Sequence, residues 1–150
     1  MTPSDEMERQ YNARMAIPDH PQIFARWAER SREARAALPC VLDVDYGEGQ
    51  VKSVGSTLDV FPSEGPSKAL LMYIHGGYWR SLDKSDFSYL AAAFRVPGVT
   101  LAVVNYDLAP KVSIAHIVGQ MLKASAWLWR WWGIFCVPTL SNCRLARGCP

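Results

Sequence analysis

The chain has 150 residues, 49% hydrophobic and 20% charged, the balance of a folded chain with one core rather than a disordered or fibrous one. Its net charge of +2 hides an asymmetry: all 14 acidic residues lie at or before Asp107, leaving Lys111, Lys123, Arg130, Arg144 and Arg147 unopposed. These cations form no dense block or stripe, which argues against a nucleic-acid surface.

The N-terminus, "MTPSDEMERQYNARM", carries acids where a secretory leader needs positive charge, and no apolar segment follows. The longest apolar runs, "ALLMYI" and "LAVV", are too short to span a bilayer. A cytoplasmic protein with no membrane partner is expected. Cys40, Cys136, Cys143 and Cys149 show no Cys-x-x-Cys spacing and no histidine partners, so they read as free thiols, with no metal site. No phosphate-binding loop is present, and no cofactor is implied.

In chain order, residues 3–15 read as a helix capped by Ser4, with early acids. Residues 19–38 read as a second, with Ile23, Trp27, Ala34 and Leu38 on one face behind Pro21. "CVLDVDYGEG" and "GSTLDVFPSEGP" are short alternating runs closed by Gly and Pro, two half-buried antiparallel strands. From Lys68 the pattern changes to a continuous apolar strand (69–74), a loop, a helix near 85–95, a second apolar strand (99–105) and a helix from Ser113. That order makes the later sheet parallel. The fold class is therefore α/β: a mixed sheet, antiparallel at its start and then parallel, flanked by helices. In the last helix Ile114, Ile117, Val118, Met121, Leu122, Ser125, Leu128 and Trp129 share one stripe. Trp127 and Trp131 form an i,i+4 pair, and Trp129 and Trp132 continue the stripe; packing explains them better than a membrane anchor or a base-stacking platform.

His75, Gly76 and Gly77 follow the first parallel strand at its carboxyl end, where open α/β sheets place their ligand crevice. Paired glycines there permit positive φ and let backbone N–H groups approach a bound oxygen with no Cβ in the way. Such amides can form an oxyanion hole for acyl transfer. The bland reading of the same pair is a tight strand-to-helix turn.

"HGGYWRSLDKSDF", with its His-Gly-Gly-x-Trp core, together with "NYDLAP" after the next strand, resembles the α/β-hydrolase superfamily, in particular its kynurenine formamidase (arylformamidase)-like and related carboxylesterase branch. The similarity runs from "YNARMAIPDHP" through "LDVDYG" and "LDVFP" to "AWLWR", the N-terminal part of such a fold. The resemblance implies an oxyanion hole from the amides around Gly76, Gly77 and Tyr78, with Tyr78 and Trp79 close to the acyl or aryl pocket. It implies that His75 positions the loop rather than acting as a base, and that the substrate is a small ester or formamide.

Enzymes of that family also need the nucleophile elbow Gly-x-Ser-x-Gly, followed by an acid and then a histidine. No Gly-x-Ser-x-Gly occurs in the 150 residues; "VGSTL" lacks the second glycine, so Ser56 reads as a strand or turn residue. His20 sits at a helix start, and His116 has no carboxylate after it. No catalytic Ser, Asp or His is identified. After "WLWRWW" comes "GIFCVPTLSNCRLARGCP", without acids or hydrophobic period. The expected organisation is a helical segment (1–38), a partial hydrolase core (39–132) and a tail (133–150) read as an accidental extension such as a frameshift product, with a splice-like variant or a purposeful cysteine-bearing tail as alternatives. Two readings stay open: a hydrolase by lineage whose own chain lacks the nucleophile and is inactive, or a non-catalytic chain that is either a binding or interaction module or a frameshifted or truncated product without function. Strand 99–105 is expected to lack one neighbour, leaving an open sheet edge that invites self-association.

Overall fold

The computed structural model describes residues 3–47 and 54–135. It opens with α1 (Pro3–Tyr11) and α2 (Ala13–Ala16), not one helix. Asn12 makes the break: its side chain accepts from the Arg14 amide, capping α2. Because α1 starts at Pro3, Ser4 falls inside the helix rather than at its cap. α3 (His20–Ala37) follows, with Pro21 in its first turn and Ser31 and Ala34 buried.

Four strands, β1 (Val41–Asp45), β2 (Thr57–Phe61), β3 (Ala69–Ile74) and β4 (Val99–Val104), form one mixed sheet in the order β1-β2-β4-β3. β2 runs antiparallel to β1 and β4, whereas β3 and β4 are parallel, in register from Ala69↔Val99 to Ile74↔Val104. The mixed α/β architecture is as the sequence implies. Side chains of β4 alternate between two cores. Ala102 and Val104 meet Leu58, Val60 and α5 (Ile114–Phe135) through Ala124 and Leu128 on one face. Leu101 and Val103 meet Phe61 and Phe87, with Trp27 of α3 beside them, on the other.

Two expectations about the strands are corrected. β4 is not an edge strand: it lies between β2 and β3, and Thr100 to Val104 are buried. Among the described residues β3 pairs on one side only, with β4, and is only partly buried along its length. β2 is not half-buried either, since Leu58 to Phe61 are buried on both faces once β4 docks beside it. Asp59, on this strand, is 1% exposed and receives Lys84 Nζ at 2.5 Å. Sequence alternation cannot distinguish such a buried charge, neutralised by a distant lysine, from a solvated one.

The segment expected as a helix over 85–95 is a 3₁₀ helix (Lys84–Leu90) leading into α4 (Ala91–Arg95). Asp83 starts it with a capping box: its carboxylate accepts from the Ser85 amide at 2.9 Å, and its own amide donates to Asp86 at 3.1 Å. α5 begins after Ser113, whose hydroxyl accepts from the His116 amide. Its apolar stripe does not all face the core. Ile117, Ala124 and Leu128 are buried, but Ile114, Val118, Leu122 and Trp129 are exposed. Trp127 and Trp131 stack at 5.8 Å against the core as expected, while the Trp132 side chain and residues 136–150 lie outside the described residues. Cys40 is a free thiol pushed up in pKa by burial; the other three cysteines also fall outside them. Among the described residues no helix is long and apolar enough to cross a membrane.

Candidate functional site

Parallel register decides what stands beside the Gly-Gly turn. With Ile74 opposite Val104, the next residues of each strand, His75 and Asn105, leave the sheet side by side. His75 Nε2 lies 3.1 Å from Asn105 Oδ1. The Asn105 amide is oriented by a second bond, Nδ2 donating to Asp83 Oδ2 at 2.7 Å, and the Lys84 amide also donates to Oδ1. Burial alone would raise the Asp83 carboxyl, but hydrogen bonds from Ser85 and Asn105 and the nearby Lys84 hold it below the ordinary aspartate range. The His75 ring is 2% exposed and sandwiched between Tyr106, at 4.3 Å and 14°, and Phe87, at 5.6 Å and 13°. Burial pushes the Tyr106 phenol up, keeping it a donor.

Three carbonyls of the loop are tied into the protein. The His75 carbonyl accepts from the Tyr106 hydroxyl at 2.8 Å, and the Gly76 carbonyl lies 2.8 Å from His75 Nδ1. The Gly77 carbonyl accepts the amides of Arg80 and Ser81 and the Ser81 hydroxyl, at 3.0, 3.1 and 3.0 Å. In a trans peptide the following N–H points opposite to the carbonyl. The amides of Gly76, Gly77 and Tyr78 are therefore directed away from these anchors, and among the described residues none of them donates a hydrogen bond.

The backbone meets this geometry through left-handed conformations. Gly77 has φ +124, and a Cβ there would lie 2.0 Å from the Ser81 carbonyl oxygen. Tyr78 and Trp79 follow at φ 59 and 61, and Leu82 at 72, each costing about 1–3 kcal/mol unless the surroundings hold it. One such hold is the Ala109 amide, which donates to the Trp79 carbonyl at 2.8 Å. Another is Arg14, donating to Ser81 Oγ at 3.0 Å. Gly76 differs: a Cβ there would meet nothing within 4 Å.

Trp79 lines a shallow apolar cavity of about 150 Å³ with Ile114, Ile117, Val118, Met121 and Leu122 of α5. Tyr78, by contrast, is 80% exposed and outside this lining. Among the described residues no serine hydroxyl bonds to a histidine ring. Ser56 Oγ accepts from Gln120, Ser81 is spent on Gly77, and His116 faces Asp107 at 3.5 Å, a residue upstream of it.

The structure thus brings together His75, Gly76, Gly77 and Trp79 with Asn105, Tyr106 and Ala109 of "NYDLAP". Sequence reasoning quoted that segment without assigning Asn105 or Tyr106 a task. Their position one strand over, immediately after a parallel apolar run, was the available signal.

A kynurenine formamidase of Salmo salar is 34% identical to the chain over 131 aligned residues, which are 80% of this chain and 42% of that protein. One from Danio rerio is 33% identical with the same coverage. Among solved structures, a candidate thioesterase from a Silicibacter species matches with a TM-score of 0.73 and 32% identity, over 81% of this chain and 45% of that one. The chain belongs to the α/β-hydrolase superfamily, on its kynurenine formamidase-like branch. Esterase B of Lactobacillus rhamnosis, 18% identical with a TM-score of 0.58, shares the α/β-hydrolase fold. The chain spans less than half the length of the two formamidases. No protein-family model matches it.

Proposed function

We propose that loop 76–79 is an oxyanion cradle that takes the carbonyl oxygen of a small ester or aryl formamide, and that these 150 residues bind such a carbonyl without turning it over. The observation that carries this is the set of loop amides at Gly76, Gly77 and Tyr78, which among the described residues donate to nothing while the carbonyls before them are anchored inward. In hydrolysis by this branch a serine attacks the carbonyl, a histidine carries the proton, and these amides hold the oxyanion, each donor worth about 10²–10³ in rate. Open space before Gly76 admits the oxygen, and the Trp79 cavity takes the apolar acyl or aryl group. His75, closed in by Tyr106 and Phe87, positions the loop and is not a base.

Binding without turnover rests on the missing elbow and on the absence, among the described residues, of a serine paired to a histidine. The test is to offer the purified chain N-formylkynurenine, a p-nitrophenyl ester and a fluorophosphonate probe. Saturable binding of formanilide with no turnover and no labelling is expected. Turnover lost on Gly76→Val would make the chain an enzyme and refute this reading.

A further inference from the structure

On α5, Gln120 buries a carboxamide, 5% exposed, beside Met121 of the cavity wall and one turn after Ile117. Its oxygen accepts from the Asp107 amide at 3.0 Å, and its nitrogen donates to Asp107 Oδ2 at 2.8 Å. Two bonds to one residue fix the orientation of the carboxamide. The nitrogen also reaches Ser56 Oγ at 3.3 Å, and His116 Nε2 stands 3.5 Å from the same Asp107 Oδ2. Asp107 is held from its other side by close backbone approach: a Cβ on Gly55 would lie 2.3 Å from Asp107 Oδ1 and 2.5 Å from its amide nitrogen. The glycine of "VGSTL" makes room for this aspartate.

Both walls of the Trp79 cavity hang from the stretch around Asp107. Ala109, two residues on, donates its amide to the Trp79 carbonyl at 2.8 Å, and the Tyr106 ring, one residue back, lies 5.3 Å from the Trp79 ring at 56°. The buried Tyr46 hydroxyl reaches the Asn105 carbonyl at 2.7 Å and the Gly55 carbonyl at 2.9 Å, tying the stretch to the chain around β1 and β2. The facing wall is α5, which packs on the sheet through Ala124 and Leu128. Apolar contact is non-directional, so it sets the depth of a helix better than its rotation or slide. The hydrogen bonds from Gln120 to Asp107 set those.

We propose that Asp107 and Gln120 are positioning residues for the pocket: the pair sets the separation of Trp79 from α5, and with it the size of the acyl or aryl group that fits. This rests on the reading of that cavity as the seat of the acyl or aryl group, and adds what fixes its width. Breaking the pair lets the α5 wall shift while the oxyanion loop, hung from His75 and Asn105, stays in place. Preference for group size then changes, and recognition of the carbonyl does not.

The test compares binding of formanilide and 4-butylformanilide to the full chain, and follows the Trp79 indole ¹⁵N–¹H resonance with and without ligand. Gln120→Glu sets a second carboxylate against Asp107, and like charges drive the wall away. It should shift the ratio of the two affinities about fivefold or more toward the longer anilide. It should also move the indole resonance in the ligand-free chain while the amides of residues 76–78 keep theirs. Combining Gln120→Glu with Asp107→Asn exchanges amide and carboxylate between the two positions and should restore both readings. A pair needed for folding alone would lower the melting temperature and leave the affinity ratio as it was. Gln120→Met, which removes both bonds without adding charge, supplies the same readings should Gln120→Glu not fold. An unchanged affinity ratio, an unmoved indole resonance, or an exchange that restores neither overturns the proposal. Absence of saturable binding of either anilide to the parent chain would refute the carbonyl reading instead, and the ligand-free indole resonance would still decide whether the pair sets the wall.

Discussion

Asn105 and His75, thirty residues apart, meet at 3.1 Å because β3 and β4 end in register, and Asp83 locks the Asn105 amide so that its oxygen faces the imidazole. The sheet sets this contact, and the loop hangs from it. Asn105→Ala removes the partner of a buried ring nitrogen, of the Lys84 amide and of Asp83 Oδ2, while Asp83 Oδ1 keeps the Ser85 amide. A loss of about 1–3 kcal/mol in urea unfolding is expected, with faster hydrogen exchange at residues 76–79. Unchanged loop exchange would mean that the pair is not what holds the loop.

The two glycines should respond oppositely to the same methyl group. Gly77→Ala forces a Cβ against the Ser81 carbonyl at a φ that L-residues rarely adopt, and should cost more than about 1 kcal/mol of stability. Gly76→Ala meets no protein atom and should leave the melting temperature unchanged while weakening formanilide binding several-fold. Thermal melts and titration calorimetry on both variants check this.

Lys84 is held above its ordinary pKa: burial opposes its charge, but the hydrogen bonds it donates to the Asp43 and Asp59 carboxylates outweigh that cost. Lys84→Met strands the buried Asp59 carboxylate, and a loss of about 3–5 kcal/mol is expected. Lys84→Met with Asp59→Leu removes both charges and should recover most of it. Urea denaturation of the three chains decides. Since the lysine pKa is raised on folding, its share of stability is present below the unfolded value of 10.5 and fades only as pH rises beyond it.

Asp83 behaves in the opposite sense. Its folded pKa is lowered from 3.8, so the stability it contributes is present above that pH and is lost as pH falls through the lowered folded value. Asp83→Asn should therefore be less stable than the parent near neutrality, with the gap narrowing only below about pH 4. A gap that stays constant to the lowest pH would show that the charge plays no part.

The elements with strong local signals were legible in the sequence: the continuous apolar runs of β3 and β4, Pro21 in the first turn of α3, Ser113 at the start of α5, and the glycine pair after β3. Strand order was not, because insertion of β4 between β2 and β3 is a long-range outcome that no local period records. Expecting strand 99–105 at the edge followed from that gap, and so did expecting β2 to be half-solvated. The stripe on α5 is legible, but which of its residues are covered is not, since periodicity reports which residues share a side and not whether anything covers it. Asn105, Tyr106 and Asp83 escaped notice as site residues because single polar residues in loops acquire meaning only once the sheet brings them together.

The central claim is that the amides of Gly76, Gly77 and Tyr78 receive a carbonyl oxygen. It is tested most directly by ¹⁵N–¹H correlation spectra of the chain titrated with formanilide. The account predicts saturable downfield amide-proton shifts concentrated on these three residues, with an indole shift at Trp79, all abolished in Gly76→Val while the fold is retained. Saturable shifts elsewhere with these three amides unmoved, or no saturable shift at all, would contradict it.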